Sequence, residues 1–186
     1  MKKRRCEWCG EIPIYVKYHD EEWGVPVHDD NKLFEMLILE GAQAGLSWLT
    51  VLKKRENYKK AFDNFNPEII AEYNQEKIDE LLNNKGIIRN RLKIASAIKN
   101  AKVFLSIQKE FGSFDKYIWS FVNGEPIINK FKTLKEIPVR TEISDLLSKD
   151  LIKLGCNFVG STICYAFMQA VGMVNDHTTN CFRYVA

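Results

Sequence analysis

Apolar side chains recur along this chain at helical spacing and almost nowhere with the alternation of a strand. Ile87, Ile94, Ile98, Ala101 and Leu105 form one stripe of a long helix expected after Gly86. Ile143, Leu146, Leu147, Leu151 and Leu154 predict an amphipathic helix stopped by Gly155, and Ile163, Phe167, Ala170, Val171 and Val174 predict the last one. Leu33, Met36 and Leu37 predict a helix over 31–41. Another is expected over 47–62, capped by Ser47 and with Leu46 stapled against Val51. Short helices are expected over 67–73, 75–84 and 113–122, the last ended by Asn123-Gly124. The stretch 125–138 is the least regular and reads as a surface loop. The expectation is an all-α fold of roughly eight helices forming one domain over 1–186, with no internal repeat.

Composition narrows the class. The chain has 186 residues, 46% apolar and 27% charged, enough to bury a core. No apolar run approaches the roughly 18 residues of a membrane span. The longest, 162–174, is interrupted by Gln169 and Gly172. Met1-Lys2-Lys3-Arg4-Arg5 is basic like the start of a signal peptide, but Cys6-Glu7-Trp8-Cys9-Gly10-Glu11 follows where its apolar segment would lie. A cytoplasmic protein is therefore expected. Five cysteines, an odd number, argue against a complete disulfide framework there.

The net charge is only +3, and its distribution matters more. Lys85, Arg89, Arg91, Lys93, Lys99 and Lys102 occupy a stretch without acids, and Lys53, Lys54, Arg55, Lys59 and Lys60 form a second cluster. Each is either a solvated helix face or a surface for phosphates. The helix expected at 75–84, the turn at Gly86 and the basic helix after it form a hairpin that could aim backbone N–H groups at a phosphate, with Arg89, Arg91 and Lys93 holding its neighbours.

Three other groups of residues carry chemistry. Glu40 continues the Leu33–Met36–Leu37 stripe, so it lies on an apolar face, where a carboxylate is costly unless paired. The small-residue segment Gly41-Ala42-Gln43-Ala44-Gly45 and then Trp48 follow it. Glu40 either receives a cationic planar ligand or pairs with a buried arginine or backbone group. Trp8, Tyr15, Tyr18 and Trp23 either stack on a base or fill the core. Cys6 and His19 near one end, with His177 and Cys181 near the other, suit tetrahedral zinc, the latter pair being one helical turn apart. Cys9 competes, because Cys6 and Cys9 are themselves at a ligand spacing. Free thiols and ordinary histidines are the alternative.

Together these segments resemble a known family. Tyr18-His19-Asp20-Glu21-Glu22-Trp23-Gly24-Val25-Pro26, Leu33 to Leu37 with Glu40 through Trp48, and Phe158-Val159-Gly160-Ser161-Thr162-Ile163-Cys164-Tyr165 with Asn175-Asp176-His177 are similar to the DNA-3-methyladenine glycosylase I family, of the helix-hairpin-helix glycosylase superfamily. The resemblance spans nearly the whole chain. It implies a monofunctional enzyme that flips N3-methyladenine out of alkylated double-stranded DNA and hydrolyses its N-glycosidic bond. Free 3-methyladenine and an abasic site would be the products. It implies Glu40 as the pocket glutamate, Tyr18 and Trp48 as pocket rings with Trp8 and Tyr15 nearby, and Gly45 and Leu46 as the wedge into DNA. It implies Cys6, His19, His177 and Cys181 as ligands of one structural zinc in a monomer. The sequence departs from the pattern at Cys9 and in a hairpin at about 75–105 that lacks Pro-Gly-x-Gly. No superfamily-type aspartate follows that hairpin, Asp115 being a poor match. Two other readings remain: a helix-hairpin-helix DNA-binding module without catalysis, and a zinc-dependent regulatory protein.

Overall fold

The computed structural model describes residues 3–185, so Met1 and Lys2 of the basic N-terminal run lie outside the described residues. Ten α-helices and two short strands are formed among them. The helices are α1 (Pro13–Glu21), α2 (Asp30–Gln43), α3 (Trp48–Leu52), α4 (Arg55–Ala61), α5 (Pro67–Ala71), α6 (Gln75–Asn83), α7 (Arg91–Phe111), α8 (Phe114–Trp119), α9 (Glu142–Leu154) and α10 (Ser161–Ala170). Among the described residues no helix is long and apolar enough to cross a membrane.

Helix α2 is the axis of the core. The side chain of Asp29 accepts from Lys32 N at 2.8 Å and starts it. Every residue from Met36 to Ala42 is buried, so α2 is covered on nearly all sides rather than along one stripe. It packs against α3, α7, α8 and α10. Glu40 is therefore buried more completely than its place on a stripe implied.

The structure corrects several expected boundaries. The helix expected over 47–62 is two helices, α3 and α4, broken where Lys54 turns to the carbonyls of Lys85 and Gly86 and Arg55 to Glu22 and Glu35. Gly41–Gln43 remain helical, so the small-residue loop shrinks to 44–47. The long helix begins at Arg91, not after Gly86, because the Asn90 side chain accepts from Lys93 N and caps it. The last helix ends at Ala170, and Val174 enters strand β2 (Val174–Asn175). That strand pairs in parallel with β1 (Ile127–Ile128), inside the stretch expected to be loop. Helix α1 was not expected at all. Only Tyr18 and His19 on it are buried, too little for a hydrophobic stripe, and Pro13 at its first turn was its one local signal.

The chain reverses after α10 at Gly172, whose φ is +73°. Val27 N donates to Val171 O and Gly24 N to Gln169 O, drawing the 22–27 segment against that turn. A Cβ on Gly172 would lie 2.3 Å from the carbonyl carbon of Val25. Backbone cannot yield there as a flexible side chain would. Gly172→Ala is expected to cost at least ~2 kcal/mol, read as a fall in the urea midpoint at unchanged m-value. An unchanged midpoint would show that the 22–27 segment is not held in this register.

Candidate active site and Cys–His cluster

A cavity of about 290 Å³ opens beside α2. Trp8, Tyr15, Tyr18 and Trp23 line it from the N-terminal segment, Glu40 and Gln43 from α2, and Trp48 from the start of α3. Thr162, Tyr165, Ala166 and Gln169 of α10 form another wall, and Leu134, Ile137, Pro138 and Val139 form a rim. All five residues expected to hold a base therefore meet here. Tyr18 and Trp48 pack with ring centroids 5.2 Å apart, and Trp8 meets both Tyr15 and Trp23 edge-on at 4.9 Å. Sequence pattern offered no reason to single out Gln43 or α10. Gln43 sits inside a helical run, and α10 shows only an ordinary apolar stripe.

Four polar atoms of the residues lining this cavity lack partners. Glu40 is 3% exposed, and its Oε2 accepts no hydrogen bond. Gln43 Oε1, Trp8 Nε1 and Trp48 Nε1 are buried and unpartnered too. Leaving such a group unpaired costs roughly 1–3 kcal/mol, so four facing one cavity mark a place for a ligand that supplies both donors and acceptors. Burial alone pushes the Glu40 carboxyl up to about 8. No arginine or backbone donor satisfies it, which removes the pairing alternative for this residue. Aromatic faces with an unpaired carboxylate suit a planar cation.

Behind this wall, four ligand-type atoms converge. One each from Cys6, His19, His177 and Cys181 lie within 4.8 Å of one another, all buried, and can hold a metal ion. Cys6 Sγ lies 3.5 Å from His177 Nδ1, and Cys181 Sγ lies 3.4 Å from His19 Nε2 and 3.5 Å from His177 Nδ1. Each histidine spends its other nitrogen elsewhere. His19 Nδ1 donates to Asp20 at 2.8 Å, and His177 Nε2 donates to the Trp23 carbonyl at 3.0 Å. Asp20 is in turn held by both donors of Arg5, which lower its carboxyl to about 2. Thr178 N and Oγ1 donate to Cys6 Sγ, and Arg183 N donates to Cys181 Sγ. Hydrogen bonding from Cys6 lowers the Cys181 thiol well below the ordinary range. Cys9 stands apart, its thiol on the Cys6 carbonyl at 3.3 Å. His177 and Cys181 reach the cluster from irregular chain, not from the helical turn their spacing suggested.

The basic segments prove less uniform than expected. The hairpin is α6, a loop over 84–90, and α7. Gly86 N is taken by the Asn84 side chain at 2.8 Å, Ile87 N by the Asn84 carbonyl and Ile88 N by the Tyr58 hydroxyl. These amides are spent inside the protein, against the expectation that the turn offers them to a phosphate. A Cβ on Gly86 would press on Asn57 Cβ at 3.0 Å, so close packing is what the glycine serves. Arg89 and Arg91 are exposed. Lys93 is not free, because its ammonium donates to the carbonyls of Ala42 and Ala44. In the second cluster Arg55, its side chain 11% exposed, bridges Glu35 and Glu22. Between α2 and α3, Gly45 has φ +77° and open space where a Cβ would sit. Leu46 beside it is 42% exposed instead of stapled under, although Val51 is fully buried.

Comparison with known proteins places these features in context. A family model described as methyladenine glycosylase matches residues 8–184. DNA-3-methyladenine glycosylase 1 of Escherichia coli strain K12 is 52% identical over 180 residues, 97% of this chain and 96% of the relative. A crystal structure of a 3-methyladenine DNA glycosylase I superposes with a TM-score of 0.96 at 53% identity, covering 98% of this chain and 100% of the other. A second, of a tyrosine-to-phenylalanine variant in complex with 3-methyladenine, superposes at 0.95 with 35% identity and 98% of both chains covered.

Proposed function

The chain belongs to the methyladenine glycosylase family, and on that footing we propose that it excises N3-methyladenine from alkylated DNA. The single observation that carries this reading is the unpartnered, buried Glu40 carboxylate in a cavity walled by aromatic rings. A DNA-binding module without catalysis has no use for such a group. The enzyme acts as one domain and a monomer, on double-stranded DNA in the cytoplasm.

The chemistry asked of the protein is small. Methylation at N3 puts a positive charge on adenine and makes it a good leaving group. Water adds to the sugar C1′ while the C1′–N9 bond breaks. The bonding electron pair goes to the base, which departs as neutral 3-methyladenine. The water proton passes to solvent, and an abasic site remains. No general acid is needed, which accounts for Asp115 lying elsewhere, against His28. The protein must flip the nucleotide out, bind the cation and exclude neutral bases. Gly45 and Leu46 fill the gap in the helix, and Arg89 and Arg91 hold phosphates beside it.

Magnitudes explain the selectivity. A carboxyl raised from 4.5 to about 8 favours its protonated form by roughly 5 kcal/mol. A cation ~4 Å away returns about 4 kcal/mol at an effective dielectric of ~20. Ring faces in a dry site add about 2 kcal/mol. A methylated, cationic adenine therefore offsets the ionisation of Glu40, and neutral adenine does not.

The Cys–His cluster is read here as a structural zinc site, held by Cys6, His19, His177 and Cys181. Tetrahedral corners at ~2.3 Å for sulfur and ~2.0 Å for nitrogen lie about 3.5 Å apart, the spacing found for three of the sulfur–nitrogen pairs, with the whole set within 4.8 Å. Both histidines carry second partners and both sulfurs accept backbone N–H groups, as ligands to a cation require. When bound, the ion supplies cross-linking and no reaction chemistry, since four protein ligands leave no open position. Purified protein should contain about one zinc per chain by elemental analysis. Cys6→Ser should lose zinc and thermal stability together, while Cys9→Ser keeps both. The reverse pattern would move the site to Cys9.

The test of the function uses DNA carrying N3-methyladenine and measures free base released in a single turnover. Wild type should release it, and Glu40→Gln should release it more slowly without losing all activity. The pH dependence carries the sign. The free Glu40 carboxyl is protonated below about 8, and a cationic base must displace that proton. kcat/KM should therefore rise with pH up to about 8 and then level off, because it reports groups of the free enzyme. In Glu40→Gln that rising limb should vanish. Complete loss of excision with base binding intact would move Glu40 to the chemical step.

A further inference from the structure

Lys93 leaves a question that a phosphate contact does not answer. It stands in the first turn of α7, where the helix dipole disfavours a cation. Its ammonium reaches across roughly fifty residues of sequence to the opposite kind of helix end. It donates to Ala42 O at 2.8 Å and Ala44 O at 2.7 Å, at the C-terminus of α2. That end has other carbonyls to satisfy. Ala44 N donates to Gly41 O and Leu46 N to Gln43 O, so the local backbone covers those two, and Lys93 covers the pair it cannot reach. The ammonium is half-buried, and desolvation lowers its pKa from the ordinary lysine value. Both of its recorded partners are neutral carbonyls.

The segment it grips has little side-chain packing of its own. Gly45 has nothing within 4 Å of where a Cβ would sit, and Leu46 faces solvent. Ser47 belongs already to the next helix, its side chain accepting from Thr50 N. At its other end Lys93 stands in the first turn of α7 with exposed Arg91, just after exposed Arg89 in the preceding loop.

Resting on the glycosylase reading, we infer that Lys93 is a positioning residue for base flipping: its ammonium locks the 44–47 loop to the first turn of α7. The surface that takes the phosphates and the loop that enters the helix then move as one body. A loop free to swing would let a duplex bind while failing to wedge it open. A misplacement of about 1 Å far from the reacting atoms is enough to cost about a hundredfold in rate.

The experiment compares wild type with Lys93→Met, which keeps length but removes charge and donors, and Lys93→Gln, which keeps a donor on a shorter stem. Three quantities are measured. They are single-turnover excision of N3-methyladenine, the salt dependence of binding to undamaged duplex, and binding of free 3-methyladenine by tryptophan fluorescence. Both variants should excise at least about tenfold more slowly. Free-base binding should stay within about twofold, because Glu40 and Trp48 keep their places. The salt slope should be unchanged, because Lys93 spends its charge on carbonyls. A slope reduced by about one unit would make Lys93 a phosphate contact and overturn the inference. So would wild-type excision rates in both variants. If Lys93→Met does not fold, Lys93→Gln carries the same comparisons. Wild type that releases no base would instead overturn the glycosylase reading itself.

Discussion

A carboxyl group can be kept buried and unpaired only where everything around it is prevented from collapsing onto it. Glu40 sits on a helix that is covered along nearly its whole length, so its backbone cannot shift toward water. Its neighbours across the cavity are rings, whose edges and faces offer it no charge. Four unpaired polar atoms survive together because the walls that carry them are fixed elsewhere. The free energy stored in this arrangement is what a cationic base recovers on binding, and the selectivity argued above follows from it.

What fixes the walls is the Cys–His cluster and its surroundings. Trp8 follows Cys6 by two residues, Tyr18 precedes His19, and the carbonyl of Trp23 accepts from His177. Three of the four cluster residues, Cys6, His19 and His177, thus carry a pocket ring with them. Asp176, next to His177 and fully buried, continues the connection to the far wall. It accepts from Tyr165 and Gln169, both of which line the cavity, and from Asn129 beside strand β1. The two ends of the chain, the α10 wall and the ring wall are therefore one hydrogen-bonded body. A structural metal at that point would hold the pocket open without touching the reaction.

Much of this was legible in the residues. Helices α9, α10 and α2 were read correctly, although Leu146 and Leu154 of the α9 stripe are exposed and Val174 lies past α10 in β2; so was the meeting of Glu40 with Tyr18 and Trp48, through resemblance for the rings. The misses have physical causes. α1 buries too few side chains for periodicity to show, and β1 pairs with a strand 47 residues away, which no local pattern encodes. The kink between α3 and α4 depends on where Lys54 and Arg55 find their acceptors. The basic clusters misled because charge in sequence says nothing of what each cation already holds. Arg55 holds two carboxylates and Lys93 two carbonyls, whereas Arg89 stays exposed. Gly86 was assigned to phosphate capture because a glycine turn sits beside the basic segment, and its close packing against Asn57 gives it a structural use instead.

The claim on which the rest turns is that Glu40 is truly unpaired and dry in the free protein. It can be measured directly by following the side-chain carboxyl carbons of isotope-labelled glutamates by NMR as pH is raised, with Glu40→Gln to assign the resonance. One glutamate should titrate near 8 and vanish from the spectrum of the variant, and addition of 3-methyladenine should perturb that same resonance. If every glutamate titrates near the ordinary value of about 4.3, Glu40 is solvated or paired, and the recognition mechanism argued here is wrong.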